Sequence, residues 1–169
     1  MRRSGYAKAH LSKDGAPEPV YFTHLPYIKE DGPNSPESIA KLKEFSAYVQ
    51  EEIDAVILLG IGGSYLCNKV LFDIFCGDGW NNFTHAERNN YPRIFFGGNN
   101  IDPWQSIHIV KQMESLAENR HHKGDKFKLL LVPISKSGTT LETLTAFSYY
   151  YQELNKNENI VVNVAVVTD

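Results

Sequence analysis

One pattern occurs three times along the sequence: a short apolar run, a turn of small polar residues, and a stretch with helical apolar spacing. The apolar runs cover residues 55–59, 93–96 and 129–134, and a fourth covers residues 160–167. Because these runs are apolar throughout, they predict strands that are covered on both faces. Strands joined by single helices are parallel, with right-handed crossovers. The pattern therefore predicts an α/β fold, a doubly wound parallel sheet flanked by helices in an α-β-α sandwich.

The first part of the chain has a different composition. Residues 1–36 are rich in proline and glycine and carry only short apolar pieces, which predicts an extended, mostly irregular leader that lies across the later core. Regular structure is expected to begin with Ser35 as the N-cap and Pro36 at the first helical position. We therefore predict a leader over residues 1–36 and one domain over residues 37–169, a length that suffices to bury a core.

Charge and cysteine content argue against several classes of function. The chain has 17 Lys and Arg against 20 Asp and Glu and no long basic run, which argues against nucleic-acid binding. Cys67 and Cys76 cannot build a disulfide framework, and with six scattered histidines they give no zinc-ligand spacing. No apolar run reaches the length of a signal peptide or a membrane span. We therefore expect a cytoplasmic protein with no metal, no cofactor and no nucleic-acid or membrane partner.

Apolar residues at helical spacing mark the helices that follow the first and third strands. Of the three consecutive tyrosines at 149–151, only Tyr151 keeps the spacing of its helix, so Tyr149 and Tyr150 are left to an interface or to solvent. The apolar positions are Leu66, Val70, Leu71, Ile74 and Phe75 in one helix, and Leu144, Phe147, Tyr151 and Leu154 in the other.

Ligands of such a sheet bind beyond the carboxyl ends of the strands, where loops lead into helix N-termini. This rule selects residues 60–64, 97–102 and 135–140. The first loop reads Gly-Ile-Gly-Gly-Ser, without the third glycine of a dinucleotide fingerprint or the Gly-Lys-Ser/Thr of a P-loop. A glycine turn at a helix start favours an anion. A tight turn with Ser64 as a simple N-cap explains this loop equally well.

The loop at residues 135–140 carries a stronger chemical signal. It reads Ser-Lys-Ser-Gly-Thr-Thr and has no apolar side chain to justify it by packing. Phosphate oxygens are satisfied by converging hydroxyl and amide donors, at roughly 1.5–3 kcal/mol for each charge-assisted contact. One helix cap needs only one hydroxyl, so phosphate binding is favoured over capping alone. No nearby histidine or Gly-x-Ser-x-Gly elbow indicates nucleophilic catalysis.

Two segments taken together resemble the first sugar-isomerase (SIS) domain of the glucose-6-phosphate isomerase family. They are residues 60–66, Gly-Ile-Gly-Gly-Ser-Tyr-Leu, and residues 135–143, Ser-Lys-Ser-Gly-Thr-Thr-Leu-Glu-Thr. The Gly-Asn-Asn at residues 98–100 is similar to a Gly-Asn segment of the same family. The resemblance covers about residues 52–169, and residues 22–26 are similar to the stretch before this domain in bacterial members. Cys67 departs from the pattern, because the family usually has glycine there.

The resemblance implies that the chain binds the phosphate of a sugar 6-phosphate. It also implies that Glu142 supports catalysis by orienting a histidine from the other subunit of a homodimer. From the residues alone, Glu142 is more simply a first-turn glutamate favoured by the helix dipole. The phosphate-binding residues implied by the resemblance are Gly62, Gly63, Ser64, Ser135, Lys136, Ser137, Thr139 and Thr140, with the backbone amides of Gly63 and Lys136 assisting.

Aldose–ketose isomerisation needs a carboxylate base, an acid/base pair for ring opening and a cation to stabilise an oxyanion. In the family these groups come from later in the chain, in an arginine of a Gly-Gly-Arg motif, a glutamate, a histidine and a lysine. We therefore expect an N-terminal fragment of an isomerase of glycolysis and gluconeogenesis, which interconverts glucose 6-phosphate and fructose 6-phosphate, and expect it to be inactive alone. The alternatives are a stand-alone SIS-domain sensor that regulates a partner, and an α/β domain with well-capped turns and no ligand.

Overall fold

The computed structural model describes residues 6–11, 15, 17–19, 27–30, 34–121 and 125–168. Contacts divide the chain into two compact units, residues 1–47 and residues 48–169. In the first unit, strands β1 (Tyr6–Leu11) and β2 (Pro17–Pro19) pair antiparallel. Residues 22–26 lie outside the described residues, and the predicted leader over residues 1–36 stays a prediction.

Helix α1 (Pro36–Glu52) begins in the first unit and ends in the second. Its start agrees with the sequence, because the Ser38 N–H donates to Ser35 Oγ at 3.2 Å and Pro36 occupies the first helical position. Ser35 is therefore the N-cap, as predicted.

The second unit is built on a sheet of four parallel strands, in the order β4-β3-β5-β6. The strands are β3 (Ala55–Leu59), β4 (Arg93–Gly97), β5 (Phe127–Pro133) and β6 (Ile160–Val164). The helices between them are α2 (Gly63–Phe75), α3 (Pro103–His121) and α4 (Leu141–Leu154), and a short 3-10 turn covers Trp80–Asn82. The predicted α/β fold with a parallel sheet flanked by helices is confirmed.

The strand order shows where the winding reverses. The chain leaves β3 for β4 at one edge of the sheet, then returns past β3 to β5 and continues to β6. Right-handed crossovers then put α2 on one face and both α3 and α4 on the other. Phe96 of β4 packs edge-on against Tyr65 and Phe72 of α2, with ring centroids 5.9 and 5.4 Å apart. The topological switch point therefore lies between the carboxyl ends of β3 and β5.

The main core lies between the sheet and the pair α3 and α4. Alternate residues of β3, namely Ala55, Ile57 and Leu59, enter this core, whereas Val56 faces a smaller cluster on the other side of the sheet. Full burial of one such aliphatic side chain contributes roughly 1.5–3 kcal/mol. Both faces of β3 are covered, as its continuous apolar run predicted.

The buried face of α4 differs from the predicted one. Tyr150 is fully buried and Tyr151 is 44% exposed, so the expectation that only Tyr151 keeps the helical spacing is wrong. The reason lies in β4, where a Cβ atom on Gly97 would stand 2.9 Å from Tyr150 Oη. The strand glycine makes room for a tyrosine ring, and burial raises the pKa of that phenol above its ordinary value. The buried positions of α4 are Thr143, Ala146, Tyr150 and Leu154.

The apolar residues of α2 mark the helix correctly but do not enter a core. In the part of the chain that the structure describes, its five predicted apolar positions are all exposed, up to 79% at Phe75. Helical spacing thus predicted the element without predicting which face packs. Among the described residues, no helix combines the length and the apolar character that crossing a membrane would require.

Candidate functional site

Three predicted loops leave the same edge of the sheet, at the carboxyl ends of the strands. The Ile134 N–H donates to the Leu59 carbonyl at 2.8 Å, and the Gly60 N–H donates to the Gly97 carbonyl at 3.3 Å. The loop after β3 therefore lies between the other two. Its neighbour across the switch point is the loop after β5. Open α/β sheets bind ligands at this switch point.

The loop after β3 ends in a helix start that no side chain caps. Helix α2 begins at Gly63, and its N-cap is Gly62, which has φ 58° and ψ −125°. Glycine adopts this conformation without the strain that a Cβ atom would bring. Ser64 lies inside the first turn and is half-buried, so the alternative in which Ser64 is a simple N-cap is wrong. Its hydroxyl has no hydrogen bond to any described residue.

A pair of hydroxyls lies at the base of the loop after β5. The backbone N–H of Ser135 donates to the Val167 carbonyl at 3.0 Å, and its side chain is buried. Ser135 Oγ lies 3.0 Å from Oγ1 of Thr140, the N-cap residue of α4. Thr140 makes no side-chain capping bond, so the two hydroxyls bond to each other while the first amides of α4 stay uncapped.

A second pair of hydroxyls lies in the exposed part of the same loop. The N–H and the hydroxyl of Thr139 both donate to Ser137 Oγ, at 3.2 and 3.0 Å. Gly138 has φ +66° and its N–H donates to the Ser135 carbonyl at 3.2 Å, which closes the turn. Lys136 is exposed beside them. The loop therefore presents its four hydroxyls as one inner and one outer pair.

The loop after β4 packs closely against α4 and supplies the capping residue of α3. Gly98 is buried with φ +71°, and a Cβ atom there would stand 3.2 Å from Ala146 Cβ of α4. The Trp104 N–H donates to Asp102 Oδ1 at 3.0 Å, so Asp102 caps α3. Asn99 Oδ1 is buried without a hydrogen-bond partner among the described residues.

Glu142 lies on the first turn of α4 and is half-buried. It lines a cavity of about 220 Å³ between α4, α3 and the loop after β4, together with Asn100, Ser106 and Tyr149. The structure therefore brings Glu142 together with residues of the 97–102 loop.

Thr143 is a candidate that the sequence did not single out for its hydroxyl. It is 1% exposed, and its Oγ1 has no hydrogen-bond partner in the described part of the chain. A buried hydroxyl without a partner costs about 1–3 kcal/mol, so such a group is suited to meet a ligand or a bound water. The sequence signal that could have pointed to Thr143 is its position three residues after Thr140, about one helical turn away.

Comparison with curated proteins gives matches to enzymes named glucose-6-phosphate isomerase. The chain is 31% identical over 111 residues to the enzyme of Clostridium perfringens (strain SM101), covering 66% of this chain and 22% of that one. It is 32% identical over 149 residues to that of Lactococcus lactis subsp. cremoris (strain MG1363), covering 87% and 29%. Over these matched residues the chain belongs to the glucose-6-phosphate isomerase family.

This part of the glucose-6-phosphate isomerase family has a fold found in a solved structure. A hypothetical protein from Thermus thermophilus superposes with a TM-score of 0.52 at 20% identity, over 79% of this chain and 32% of that one. No family model matches the chain. The chain spans less than a third of the length of these isomerases.

Proposed function

We propose that this chain supplies the phosphate-binding part of a glucose-6-phosphate isomerase and holds the 6-phosphate of the sugar. The observation that carries the proposal is the pair of uncapped helix N-termini, those of α2 and α4, on either side of the switch point. At α2 the N–H groups of Ser64 and Tyr65 donate to the Ile61 and Gly62 carbonyls, which leaves the Gly63 N–H without a partner among the described residues. Each helix start carries about half a unit of positive charge. The class of ligand follows from the relatives, which are named for glucose 6-phosphate.

The inner hydroxyl pair is assigned the strongest contacts with phosphate. Ser135 Oγ and Thr140 Oγ1 lie 3.0 Å apart, close enough for both hydroxyls to contact one phosphate group. On binding, the one neutral hydrogen bond between them is exchanged for a charge-assisted bond from each hydroxyl to a phosphate oxygen, worth roughly 1.5–3 kcal/mol apiece. Ser64 and the Gly63 amide are assigned contacts from the α2 side.

The outer part of the site is assigned the remaining polar groups. The Ser137 and Thr139 pair fixes the shape of the turn, and the Lys136 amide adds a donor to the phosphate. Gly62 lets the backbone approach the ligand closely, because it has no Cβ atom. These contacts are exposed, so we expect each to contribute less than one from the inner pair.

The sugar is assigned to the side of α4 that carries Glu142. This carboxylate and Tyr149 line the cavity that extends toward the loop after β4. We propose that Glu142 has a supporting role there and orients a histidine from the second subunit of a homodimer in the full-length enzyme. Proton transfer between C1 and C2 is assigned to groups beyond these 169 residues, so we expect binding without turnover.

The binding proposal is tested by calorimetry of the chain with glucose 6-phosphate, with glucose as the control ligand. The double variant Ser135→Ala/Thr140→Ala is expected to lose at least about a hundredfold in affinity for the phosphosugar. Ser148→Ala is a matched control, because it removes a hydroxyl from the exposed side of the same helix. Equal affinity of the double variant and the parent chain would contradict the proposal.

The turnover proposal is tested by a coupled assay for fructose 6-phosphate formation with the chain alone. We expect no turnover above the buffer background. Native mass spectrometry of the same sample addresses the regulatory alternative. A defined oligomer that binds phosphosugar at micromolar concentration without turnover would favour a stand-alone SIS-domain sensor.

A further inference from the structure

A second cavity lies at the opposite edge of the sheet, at the amino ends of the strands. Its volume is about 740 Å³. Asp54 precedes β3, Arg93 begins β4 and Lys128 lies at the start of β5, and all three line this cavity. A strand of five residues spans about 16 Å, so the cavity is separate from the loops at the carboxyl ends.

Arg88 is a buried cation in the wall of this cavity. It is 1% exposed, its Nε donates to the Tyr91 carbonyl at 3.0 Å, and its Nη1 donates to the Phe83 carbonyl. These carbonyls satisfy hydrogen bonds but carry no net negative charge. Burial, with the nearby charge of Arg93, lowers the pKa of Arg88 below its ordinary value, although a guanidinium remains protonated. A buried charge without a counter-charge is costly.

Arg93 is a second cation with the same kind of partner. It is half-buried, and its Nε donates to the Asn81 carbonyl at 3.0 Å. Within the described ranges, no carboxylate lies within 4 Å of the nitrogens of Arg88 or Arg93. The cavity therefore holds two neighbouring guanidinium groups that are bonded only to neutral oxygens.

The acidic residues of the cavity are largely committed to other cations. Glu52 forms an ion pair with Lys128, and Asp54 lies 3.6 Å from Arg120. Glu51 is exposed and has no ion pair among the described residues. Among the described residues of the cavity, Glu51 is thus the one carboxylate without a cationic partner, whereas Arg88 and Arg93 are two cations without an anionic partner. Positive charge is therefore in excess beside Arg88.

We propose that this cavity binds a small oxyanion of the phosphate class between Arg88 and Arg93. The described bonds use only part of the five N–H donors of each guanidinium, and a guanidinium fork matches two phosphate oxygens at once. Such an anion neutralises the buried charge and adds charge-assisted bonds. His85 lines the same wall and offers a further ring nitrogen. This site does not depend on the sugar-phosphate site.

The test follows the guanidinium signals by NMR in a ¹⁵N-arginine-labelled chain, which has only five arginines. Inorganic phosphate is titrated at constant ionic strength into the Ser135→Ala/Thr140→Ala variant, so that the other site does not compete. The Nε–H signals of Arg88 and Arg93 are expected to shift along one saturation curve. Arg93→Gln is expected to weaken the response of Arg88 at least about tenfold, because it removes charge-assisted bonds.

Arg120→Gln is the matched control, because Arg120 lines the same cavity but is paired with Asp54 and Asp125. It is expected to change phosphate affinity by no more than about twofold. If Arg93→Gln does not fold, Arg93→Lys keeps the charge and is expected to weaken binding by loss of the fork. Absence of saturation, an equal response to acetate, or a response of Arg88 unchanged by both Arg93 variants would overturn the proposal.

Discussion

The helices of this chain begin in two different ways. Helices α1 and α3 carry their own caps, in which Ser35 Oγ accepts the Ser38 N–H at 3.2 Å and Asp102 Oδ1 accepts the Trp104 N–H at 3.0 Å. The N-cap residues of helices α2 and α4 are Gly62 and Thr140, and neither makes a side-chain capping bond. A capped start satisfies its amides internally, whereas an uncapped start leaves them to solvent or to an anion.

This difference follows the topology of the sheet. The uncapped helices come after β3 and β5, the two central strands between which the winding reverses. The capped helix α3 comes after the edge strand β4, and its loop is closed by local hydrogen bonds. The helix after the edge strand is thus stabilised by a side-chain cap, whereas the helices after the two central strands start without one.

Adding a capping side chain to the uncapped start of α4 is expected to have the largest effect on affinity. In Thr140→Asp, the new carboxylate can accept an amide of the first turn and complements the dipole, so the free chain should gain about 0.5–1 kcal/mol of stability. A negative charge at the phosphate position costs several kcal/mol, so affinity for glucose 6-phosphate should fall at least about a hundredfold. Calorimetry and urea unfolding measure the two effects.

Ser148→Asp is the control for Thr140→Asp, because it adds the same charge on the exposed side of the same helix. It is expected to leave affinity within about twofold of the parent chain, since exposed charges are screened. If both variants lost affinity equally, the effect would come from net charge. The difference between uncapped and capped helix starts would then be irrelevant to binding.

Two neighbouring glycines of the α2 start should respond in opposite directions. Gly62→Ala forces a Cβ atom onto a residue with φ 58° and ψ −125°, which should cost roughly 1–3 kcal/mol of unfolding free energy. Gly63 is helical and a Cβ atom there meets nothing within 4 Å, so Gly63→Ala should add about 0.4–1 kcal/mol. Urea unfolding followed by circular dichroism compares them, and equal effects would show that the Gly62 turn is not strained by a side chain.

Removing a cap from α3 should lower stability and leave binding intact. Asp102→Ala is expected to cost about 0.5–2 kcal/mol, because the Trp104 amide loses its acceptor. Asp102→Asn keeps a capping oxygen and should restore most of the loss. Affinity for glucose 6-phosphate should remain within about twofold of the parent value, because α3 is not one of the two uncapped helices. A large affinity loss in either variant would remove the distinction between the two kinds of helix start.

A smaller, pH-dependent effect on stability is expected at the turn of residues 84–87, where the side chain of Glu87 bonds back to Thr84. Glu87 accepts bonds from the N–H and the hydroxyl of Thr84, at 2.8 and 2.7 Å, and these bonds lower its pKa. The stability they contribute is therefore present above the ordinary glutamate pKa and is lost as pH falls through the lowered folded value. The Tm difference between the parent chain and Glu87→Gln should shrink from pH 7 to pH 3, and a constant difference would refute this.

Much of the sheet could be predicted because its signal is local. Residues 55–59 were predicted as a strand and form β3, and residues 129–134 were predicted where β5 covers residues 127–133. The buried face of α4 could not be predicted, because burial of Tyr150 depends on Gly97 in another element. Spacing along one helix contains no information about the room left by its neighbour.

The candidate site shows a similar limit. The three loops followed from the strand pattern, and the choice of hydroxyls followed from their density and from the family resemblance. Ser64 and Thr140 are residue types that cap helices well, so their side chains could not be predicted to leave α2 and α4 uncapped. That outcome depends on the backbone angles at Gly62 and on the Ser135–Thr140 bond. Thr143 was missed because its hydroxyl matters only once it is buried.

We propose that the two uncapped helix starts hold a sugar phosphate together. The most direct measurement is an NMR titration of the ¹⁵N-labelled chain with glucose 6-phosphate, followed at the backbone amides of each helix start. We expect saturable shifts at residues 63–65 and 141–143, and unchanged signals at residues 37–39 and 104–106 of the capped helices. Shifts confined to the capped starts, or the absence of saturable shifts at both uncapped starts, would contradict this proposal.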